Sequence, residues 1–264
     1  MGLRITQVDA FTAEPFRGNP AAVCVLPAAR EGAWMQAVAR EMNLAETAFL
    51  VRENGAFGLR WFTPTVEVDL CGHATLGSAH VLWQDGHLKA GEQARFHTRS
   101  GLLTADRDGE WITMDFPAKC AEEVPAPDGL LESLGTQAVY VGRNQFDYLV
   151  EVENETAVRA LQPDLSRLAK FSGRGVIVTS KGEGYDFVSR FFAPAAGIDE
   201  DPVTGSAHCS LAPYWAPKLG KLEMLAYQAS ARGGVVRVRV AGDRVILGGQ
   251  AVTVLIGELT QRCC

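Results

Sequence analysis

The chain has 264 residues, a net charge of −6 at pH 7 and interspersed acidic and basic residues without a basic run. This composition excludes the positively charged surface of a nucleic-acid-binding protein and the polybasic segment of a membrane anchor. No apolar window approaches the length of a membrane span, so we expect a cytoplasmic protein that contacts neither nucleic acid nor membrane.

Short runs of residues with two-residue alternation predict a sheet-rich protein. The predicted strands are, in chain order, Ile5–Phe11, Ala22–Leu26, Thr47–Val51, Phe57–Phe62, Trp111–Phe116, Ala138–Val141, Tyr148–Val152, Val176–Thr179, Phe187–Phe192, Val235–Val240, Arg244–Leu247 and Ala251–Ile256. Helical periodicity is confined to Glu31–Glu41, His73–Trp83, Leu165–Lys170 and a segment that follows Gly205.

A repeated pattern indicates two similar halves. Arg60-Trp61-Phe62-Thr63-Pro64 followed by Gly77-Ser78-Ala79-His80 returns as Arg190-Phe191-Phe192-Ala193-Pro194 followed by Gly205-Ser206-Ala207-His208. Each copy predicts one central helix, and the proline-rich, charged stretch Pro117–Asp128 predicts a boundary close to mid-chain. We place the N-terminal half at residues 1–118 and the C-terminal half at residues 119–264, with the last strand able to return to the first half.

The two predicted helix starts are candidate anion sites, because a helix start presents unpaired N–H groups and a partial positive charge. If they face each other across the boundary, they bind a small carboxylate. The amides in question belong to Gly72, His73 and Ala74 in the first copy and to Gly205, Ser206 and Ala207 in the second.

Three ionisable residues are candidates for proton transfer. Glu46 stands where an amphipathic helix gives way to an apolar strand, a setting that suits a shuttling carboxylate, although an ordinary helix-end glutamate fits equally well. His73 is either a ligand-facing imidazole or a helix cap, and Asp201 either faces the substrate or caps the next helix. Ser206 is either a hydroxyl donor to substrate or a plain first-turn residue.

No metal or cofactor is expected. Spacings among Cys71, His73, His80, His208 and Cys209 match no zinc pattern, and His80 and His208 are expected to hydrogen-bond structurally. The GxSxG, Walker and GxGxxG motifs are missing. Six cysteines without a CxxC pair favour reduced thiols, and the last two, Cys263 and Cys264, are expected to be exposed.

Several motifs, in order along nearly the whole chain, resemble those of the PhzF family of phenazine-biosynthesis proteins. They are Val8-Asp9-Ala10-Phe11-Thr12, Pro15-Phe16-Arg17-Gly18-Asn19-Pro20-Ala21-Ala22-Val23, Asn43-Leu44-Ala45-Glu46-Thr47-Ala48-Phe49, Phe62-Thr63-Pro64, Cys71-Gly72-His73-Ala74-Thr75-Leu76-Gly77 and Glu200-Asp201-Pro202-Val203-Thr204-Gly205-Ser206-Ala207.

The resemblance implies an α+β fold of the diaminopimelate-epimerase type, with two pseudo-symmetric domains that each curl a mostly antiparallel sheet around a central helix. It implies a site between the halves and, plausibly for such a family, a homodimer. The best-understood member isomerises trans-2,3-dihydro-3-hydroxyanthranilate with a glutamate and no cofactor, and that glutamate falls on Glu46. His73, Asp201 and Ser206 match residues that hold substrate and aid proton movement, and Asn19 is expected nearby.

Related epimerases and racemases use two cysteines, one at the start of each central helix. Cys71 matches the first of these and Thr204 occupies the second position. A threonine hydroxyl is a far weaker acid than a thiol, which disfavours a two-thiol mechanism. The leading hypothesis is therefore a cofactor-independent isomerase that moves a proton within a small carboxylated metabolite. The alternatives are a one-thiol epimerase or racemase that uses Cys71, and a catalytically silent metabolite- or partner-binding protein.

Overall fold

The computed structural model describes residues 2–260, so Cys263 and Cys264 lie outside the described residues. The chain forms two compact units: the first comprises the chain up to Asp115 together with the segment from Gly248 onwards, and the second comprises Phe116–Leu247. Within residues 2–260 no helix is both long enough and apolar enough to cross a membrane.

The first unit is a mixed sheet with two helices. Its strands are β1 (Leu3–Ala10), β2 (Asn19–Leu26), β3 (Glu46–Glu53), β4 (Ala56–Phe62), β5 (Glu67–Val68), β6 (Ala94–Thr98), β7 (Gly101–Asp108), β8 (Trp111–Pro117) and β17 (Ala251–Leu259). Its helices are α1 (Gly32–Met42) and α2 (Gly72–Gln84). β1 pairs antiparallel with β17 and β2, β2 runs parallel to β3, and β4 is antiparallel to β3 but parallel to β6. The sheet continues antiparallel through β7 and β8.

The two helices of this unit differ in burial. α1 buries Met35 and Ala39 against Leu26, Phe49 and other residues of one face of the sheet. In contrast, α2 is the central helix, with most of its residues buried, and a Cβ added to its Gly77 would touch Val8 and Val23. Because side chains alternate between the faces of a strand, Val23 lies on the face of β2 opposite to Cys24, which packs in the α1 cluster. The sheet is therefore covered by α1 on one face and α2 on the other.

The second unit repeats this topology. Its strands are β9 (Glu122–Glu123), β10 (Tyr140–Arg143), β11 (Asp147–Glu151), β12 (Gly175–Lys181), β13 (Phe187–Phe192), β14 (Glu223–Gln228), β15 (Gly234–Ala241) and β16 (Arg244–Gly249). Its helices are α3 (Leu130–Leu134), α4 (Glu155–Ala160), α5 (Leu165–Leu168) and α6 (Gly205–Leu219), with a 3-10 turn at Pro194–Ala196. From β10 to β15 the pairings run antiparallel, parallel, antiparallel, parallel and antiparallel, the order found from β1 to β7. The predicted α+β class with an internal repeat is thus confirmed.

The repeat is in register at its strands but not at its helices. Arg60 lies on β4 and Arg190 on β13, at matching places in the two topologies. However, Gly205 is the first residue of α6, whereas Gly77 lies in the second turn of α2, which begins at Gly72. The identical letters Gly-Ser-Ala-His therefore do not mark equivalent positions, because each helix starts where the backbone leaves its extended N-cap, at Cys71 and at Thr204.

Helix α6 contains two prolines and is tied to the segment that follows β8. Pro213 has no N–H, so it cannot donate the usual helical hydrogen bond to the carbonyl of Cys209, four residues earlier. The N–H of Lys119 donates to that carbonyl at 2.9 Å, and Ser210 Oγ donates to the Lys119 carbonyl at 2.6 Å. The predicted linker therefore packs on α6 at this point.

Sequence periodicity missed several elements. The structure adds the strands β6, β7 and β14 and the short helices α3 and α4. It also ends the first strand at Ala10 rather than Phe11, because Phe11 has a positive φ of 63° that an extended strand does not allow. The four cysteines within residues 2–260, namely Cys24, Cys71, Cys120 and Cys209, are free thiols.

Candidate active site

Glu46 is the first residue of β3 and is held there by the end of α1. That helix stops at Asn43, whose left-handed conformation (φ 50°) caps it by donating its backbone N–H to the Ala39 carbonyl. The chain then enters β3, where Glu46 pairs with Ala21 of β2. Asn19, the fully buried first residue of β2, lies two residues before Ala21 and so on the same face of the sheet as Glu46.

The start of α2 brings two more reactive side chains to Glu46. Cys71 is the N-cap of the helix, but its side chain makes no capping hydrogen bond, and its Sγ lies 3.5 Å from Nδ1 of His73 instead. On the other edge of the imidazole ring, Nε2 lies 3.0 Å from Oε2 of Glu46. The His73 and Glu46 side chains are only 7% and 12% exposed, so the ring is largely shielded from solvent between sulfur and carboxylate.

The contact between His73 and Glu46 is an ion-pair approach without aligned hydrogen-bond geometry. Within residues 2–260 neither Nε2 of His73 nor Oε2 of Glu46 has a hydrogen-bond partner, although both atoms are buried. Buried polar atoms are normally satisfied, and those that are not are costly. An unsatisfied acid and base side by side are therefore a strong indication of a place where a ligand binds.

Burial and charge act in opposite directions on His73. Burial lowers the pKa of the imidazole, while the adjacent Cys71 sulfur and Glu46 carboxylate raise it, and the raising effect prevails, so the pKa lies well above its ordinary value of 6.5. Burial also raises the pKa of the Cys71 thiol to about 11. Cys71 therefore keeps its proton at pH 7, and of the two neighbours that raise the pKa of His73 the Glu46 carboxylate is the one that acts at this pH.

The same three residues offer zinc-type ligand atoms, which lie within 4.8 Å of one another. A zinc ion takes one nitrogen of an imidazole and a deprotonated thiolate. Here His73 turns Nδ1 to Cys71 and Nε2 to Glu46, so neither imidazole nitrogen faces both of the other ligand atoms. The geometry therefore favours an acid–base group over a metal centre.

The second unit holds the other predicted site residues at the start of α6. Thr204 is the N-cap, and its hydroxyl donates to Oδ2 of Asp201 at 2.5 Å. The fully buried side chain of Gln228, on β14, accepts from the Thr204 N–H at 2.8 Å and donates to the Asp201 carbonyl at 2.7 Å. Asp201 therefore belongs to a hydrogen-bonded loop at the start of α6.

The first turn of α6 contains Gly205, Ser206 and Ala207. Gly205 and Ala207 are buried, while Ser206 is half-buried, and its hydroxyl has no hydrogen-bond partner within residues 2–260. One turn further, Nδ1 of the fully buried His208 donates to the Thr204 carbonyl at 2.8 Å, and burial lowers its pKa to about 4. His80 hydrogen-bonds to Gln84 and Thr253, so both histidines make the structural contacts expected of them.

The residue that sequence reasoning missed is Gln228. It organises both Asp201 and Thr204, yet it lies on β14, a strand that was not predicted. The only local signal is the alternation of buried Met224, Ala226 and Gln228 along that strand, and alanine and glutamine are weak strand formers.

Comparison with known proteins identifies the family. A family model described as phenazine biosynthesis-like protein, PhzC-PhzF, matches residues 8–257. The chain belongs to the PhzC-PhzF family. An uncharacterised isomerase of Halalkalibacterium halodurans is 57% identical over 255 residues, which cover 96% of each chain. A PhzF-family crystal structure from Enterococcus faecalis matches with a TM-score of 0.96 and 43% identity over 99% of this chain and 100% of that chain.

The family relationship fixes the fold and the class of reaction. A hydroxyproline epimerase of Agrobacterium vitis, only 11% identical, matches with a TM-score of 0.63 over 97% of this chain and 92% of that chain, which shows a shared fold. The predicted membership of the PhzF family and the epimerase-like α+β fold are both confirmed. The chain is an isomerase.

Proposed function

We propose that this isomerase moves a proton between two carbons of a small carboxylated substrate without a cofactor, with Glu46 as the acid–base residue. One observation carries the proposal: a carboxylate and an imidazolium lie 3.0 Å apart, both buried, and neither has an aligned hydrogen-bond partner within residues 2–260. A substrate bound there meets a base in a dry pocket, where charge interactions are strong.

In the proposed mechanism the Glu46 carboxylate takes a proton from one carbon of the substrate. The electron pair of the broken C–H bond moves into the adjacent π system, and the same proton returns from Glu46 to a second carbon, so nothing is oxidised or reduced. The His73 imidazolium stabilises the negative charge that develops on the substrate. Amides at the start of α2, those of Gly72 and Ala74, bind the substrate carboxylate.

The state of Cys71 argues against the one-thiol alternative. A thiol whose pKa is about 11 is almost entirely protonated at neutral pH and is a poor general base. In addition, Cys71 contacts the ring of His73, and the carboxylate stands on the other edge of that ring. We therefore assign proton transfer to Glu46 and a supporting contact to Cys71.

We further propose that Asp201 and Ser206 take part in substrate binding, together with the amides of Gly205 and Ala207, as the family resemblance implies. The unpaired, accessible hydroxyl of Ser206 supports this role, since it is available to a ligand oxygen. Asn19, on the same sheet face as Glu46, completes the proposed binding set.

The test is proton NMR of small carboxylates incubated with the enzyme in deuterated water, beginning with trans-2,3-dihydro-3-hydroxyanthranilate. We expect isomerised product with wild type and a loss of turnover of at least ~10³-fold in Glu46→Gln, because the amide cannot exchange a proton. Glu41→Gln, which changes an exposed glutamate of α1, is the matched control and is expected to retain full activity.

Product with deuterium only at the receiving carbon indicates that Glu46 exchanged its proton with solvent before returning it, and retention of protium indicates direct return. Both results support the shuttle. Undiminished turnover in Glu46→Gln contradicts the assignment. Binding of a carboxylate without product from any candidate contradicts turnover of those compounds and supports the binding-protein alternative.

A further inference from the structure

A pocket of about 340 Å³ opens in the first unit between α1 and the sheet, away from the residues of the candidate active site. Its floor is apolar, formed by side chains that include Leu26, Met35 and Phe49. Its rim carries three arginines, Arg30 just before α1, Arg60 on β4 and Arg99 after β6. A concave apolar pocket with a few convergent polar groups is the usual form of a small-molecule site.

The arginines of the rim are not equally neutralised. Arg60 forms a two-pronged ion pair with Glu67, at 2.7 and 2.8 Å, and Arg99 contacts Glu67 at 2.7 Å and Asp69 at 3.5 Å. Arg30 lies over the Trp34 ring at 5.4 Å and, within residues 2–260, has no carboxylate at ion-pair distance. Glu53 is the acidic residue among the described residues that line the pocket. Arg30 is therefore the uncompensated positive charge.

The second unit shows what the matching arginine does when its environment is filled. Arg190 on β13 forms the same two-pronged ion pair, with Glu200, at 2.7 and 2.8 Å. Its remaining nitrogen, Nη1, donates to the carbonyls of Leu161 at 2.8 Å and Val158 at 3.4 Å, which belong to the end of α4.

In the first unit this place is open. Nε and Nη2 of Arg60 bind Glu67, and Nη1 has no hydrogen-bond partner within residues 2–260. Gly32, at the start of α1, packs against the guanidinium, where an added Cβ would lie 3.3 Å from Nη2. The crossover between β2 and β3 is the single helix α1, and within residues 2–260 none of its carbonyls bonds to Nη1. The Arg60 side chain is 38% exposed, so Nη1 is open to solvent and can donate to an oxygen of a ligand.

The pocket is separate from the acid–base cluster. Phe49 and Val51 line it, and they lie at odd-numbered spacings from Glu46 along β3, so their side chains are on the opposite face of the strand. That face is covered by α1, whereas the cluster of Glu46, Cys71 and His73 lies on the α2 side.

We propose that this pocket is a second ligand site, which binds a small carboxylate with an aromatic or branched apolar body. The carboxylate accepts from Nη1 of Arg60 and from the guanidinium of Arg30, and the apolar body lies against the apolar lining, which includes the more exposed Ala29 and Val51. A guanidinium matches the planar shape of a carboxylate, and the volume suits a single-ring molecule. The proposal does not depend on the proposed function.

The test uses the full chain with methionine labelled at the 13C-methyl group and benzoate as the probe. Met35 is the methionine among the described residues that line the pocket, and its signal is assigned with Met35→Leu. We expect benzoate to shift the Met35 methyl signal saturably and benzamide, its neutral analogue, to do so much more weakly. Met114 and Met224, buried elsewhere, report that each variant is folded.

Arg30→Gln is the decisive variant, because Arg60→Gln also breaks the ion pair with Glu67 and risks misfolding. We expect Arg30→Gln to weaken benzoate binding about tenfold, or about 1.4 kcal/mol. The matched control, Arg40→Gln, changes an exposed arginine in the last turn of the same helix and leaves affinity unchanged. Glu46→Gln also leaves the Met35 response unchanged, which separates this pocket from the acid–base cluster.

The following results overturn the proposal. They are a Met35 signal that does not move at tens of millimolar benzoate, an equal response to benzamide, and equal benzoate affinity in Arg30→Gln and wild type. Loss of the Met35 response in Glu46→Gln also overturns it, because the shift then reports benzoate at the acid–base cluster.

Discussion

The two central helices begin with the same backbone device but with different chemistry around it. Both start at a glycine after an extended N-cap whose side chain does not cap the helix. At α2 the N-cap and first turn leave Glu46 and His73 buried and unsatisfied. At α6 the N-cap Thr204 is tied to both Asp201 and Gln228. Satisfied polar groups hold a loop rigid, whereas unsatisfied ones are available to a substrate.

The histidines near these starts show how the surroundings decide charge. His73 has a carboxylate neighbour, which keeps its pKa well above 6.5 in spite of burial. His208 has only a backbone carbonyl as acceptor for Nδ1, and burial lowers its pKa to about 4. An imidazole that is almost wholly buried is therefore charged in the first unit and neutral in the second.

The largest expected effect comes from removing the charged histidine. His73→Gln keeps a hydrogen-bonding side chain but loses the imidazolium, so we expect kcat/KM to fall ~10²-fold or more. The alkaline decline of wild-type activity is expected to follow the loss of the His73 proton, and the variant lacks this decline. Steady-state kinetics across pH measure both.

The control for this prediction is His80→Gln, in the same helix, which changes a histidine bonded to Gln84 and Thr253 and is expected to keep both rate and pH profile. An unchanged alkaline decline in His73→Gln shows that another group is responsible for it.

The next effect is on the pH dependence of stability and has opposite signs at the two histidines. The unfolded chain binds a proton at His208 near pH 6.5, but the folded chain does so only near pH 4. The neutral His208 therefore makes its full contribution to the free energy of unfolding above pH 6.5. This contribution, ~3 kcal/mol, is lost as the pH falls towards 4. For His73, whose folded pKa is raised, the contribution is complete below about pH 6.5 and is lost as pH rises.

Urea denaturation at pH 7 and at pH 4.5 measures the His208 contribution. We expect His208→Asn, whose amide keeps a donor for the Thr204 carbonyl, to lose less stability between these two pH values than wild type. His87→Asn, at a half-buried turn of the first unit, is the control and is expected to follow wild type. Equal acid losses in His208→Asn and wild type would contradict the neutral assignment of His208.

A smaller effect is expected from loosening the second helix start. Thr204→Val removes the hydroxyl that donates to Asp201, and we expect the free energy of unfolding to fall by ~1–2 kcal/mol. Thr113→Val on β8, where the hydroxyl makes no hydrogen bond within residues 2–260, is the matched control and changes stability little. Equal losses of unfolding free energy in Thr204→Val and Thr113→Val show that the hydrogen bond from Thr204 to Asp201 contributes nothing to stability.

The smallest effect is expected at the first helix start. Cys71→Ala removes a neutral thiol, so kcat/KM is expected to stay within a few-fold of wild type. Cys24→Ala is the matched control, since burial raises its pKa to about 11 as well. A loss of two orders of magnitude in Cys71→Ala alone would transfer proton chemistry to the thiol and reverse the comparison between Cys71 and Thr204.

Sequence reasoning located α2 to within one residue at each end and the start of α6, because the motifs that carry them are local. The same motifs led it to name Glu46 and His73. It missed β6 and β14, since a strand is defined by pairing with residues far along the chain and their compositions are weakly strand-forming. The contact between Glu46 of β3 and His73 of α2 and the hydrogen bonds of Gln228 also join residues far apart in the sequence, so local patterns do not predict them. The repeated Gly-Ser-Ala-His sequence suggested equivalent positions in the two helices, but Gly205 is the first residue of α6 and Gly77 lies in the second turn of α2.

Because of Pro213, the Lys119 amide reports whether the segment after β8 is packed on α6. The Lys119 amide lies outside every helix and strand, yet it donates to the Cys209 carbonyl, to which the proline cannot donate. In hydrogen–deuterium exchange, Lys119 should behave like a core amide for as long as the linker stays on α6. Replacing Pro213 with alanine supplies a rival N–H inside the helix, so the same change that repairs the helix weakens the attachment of the linker.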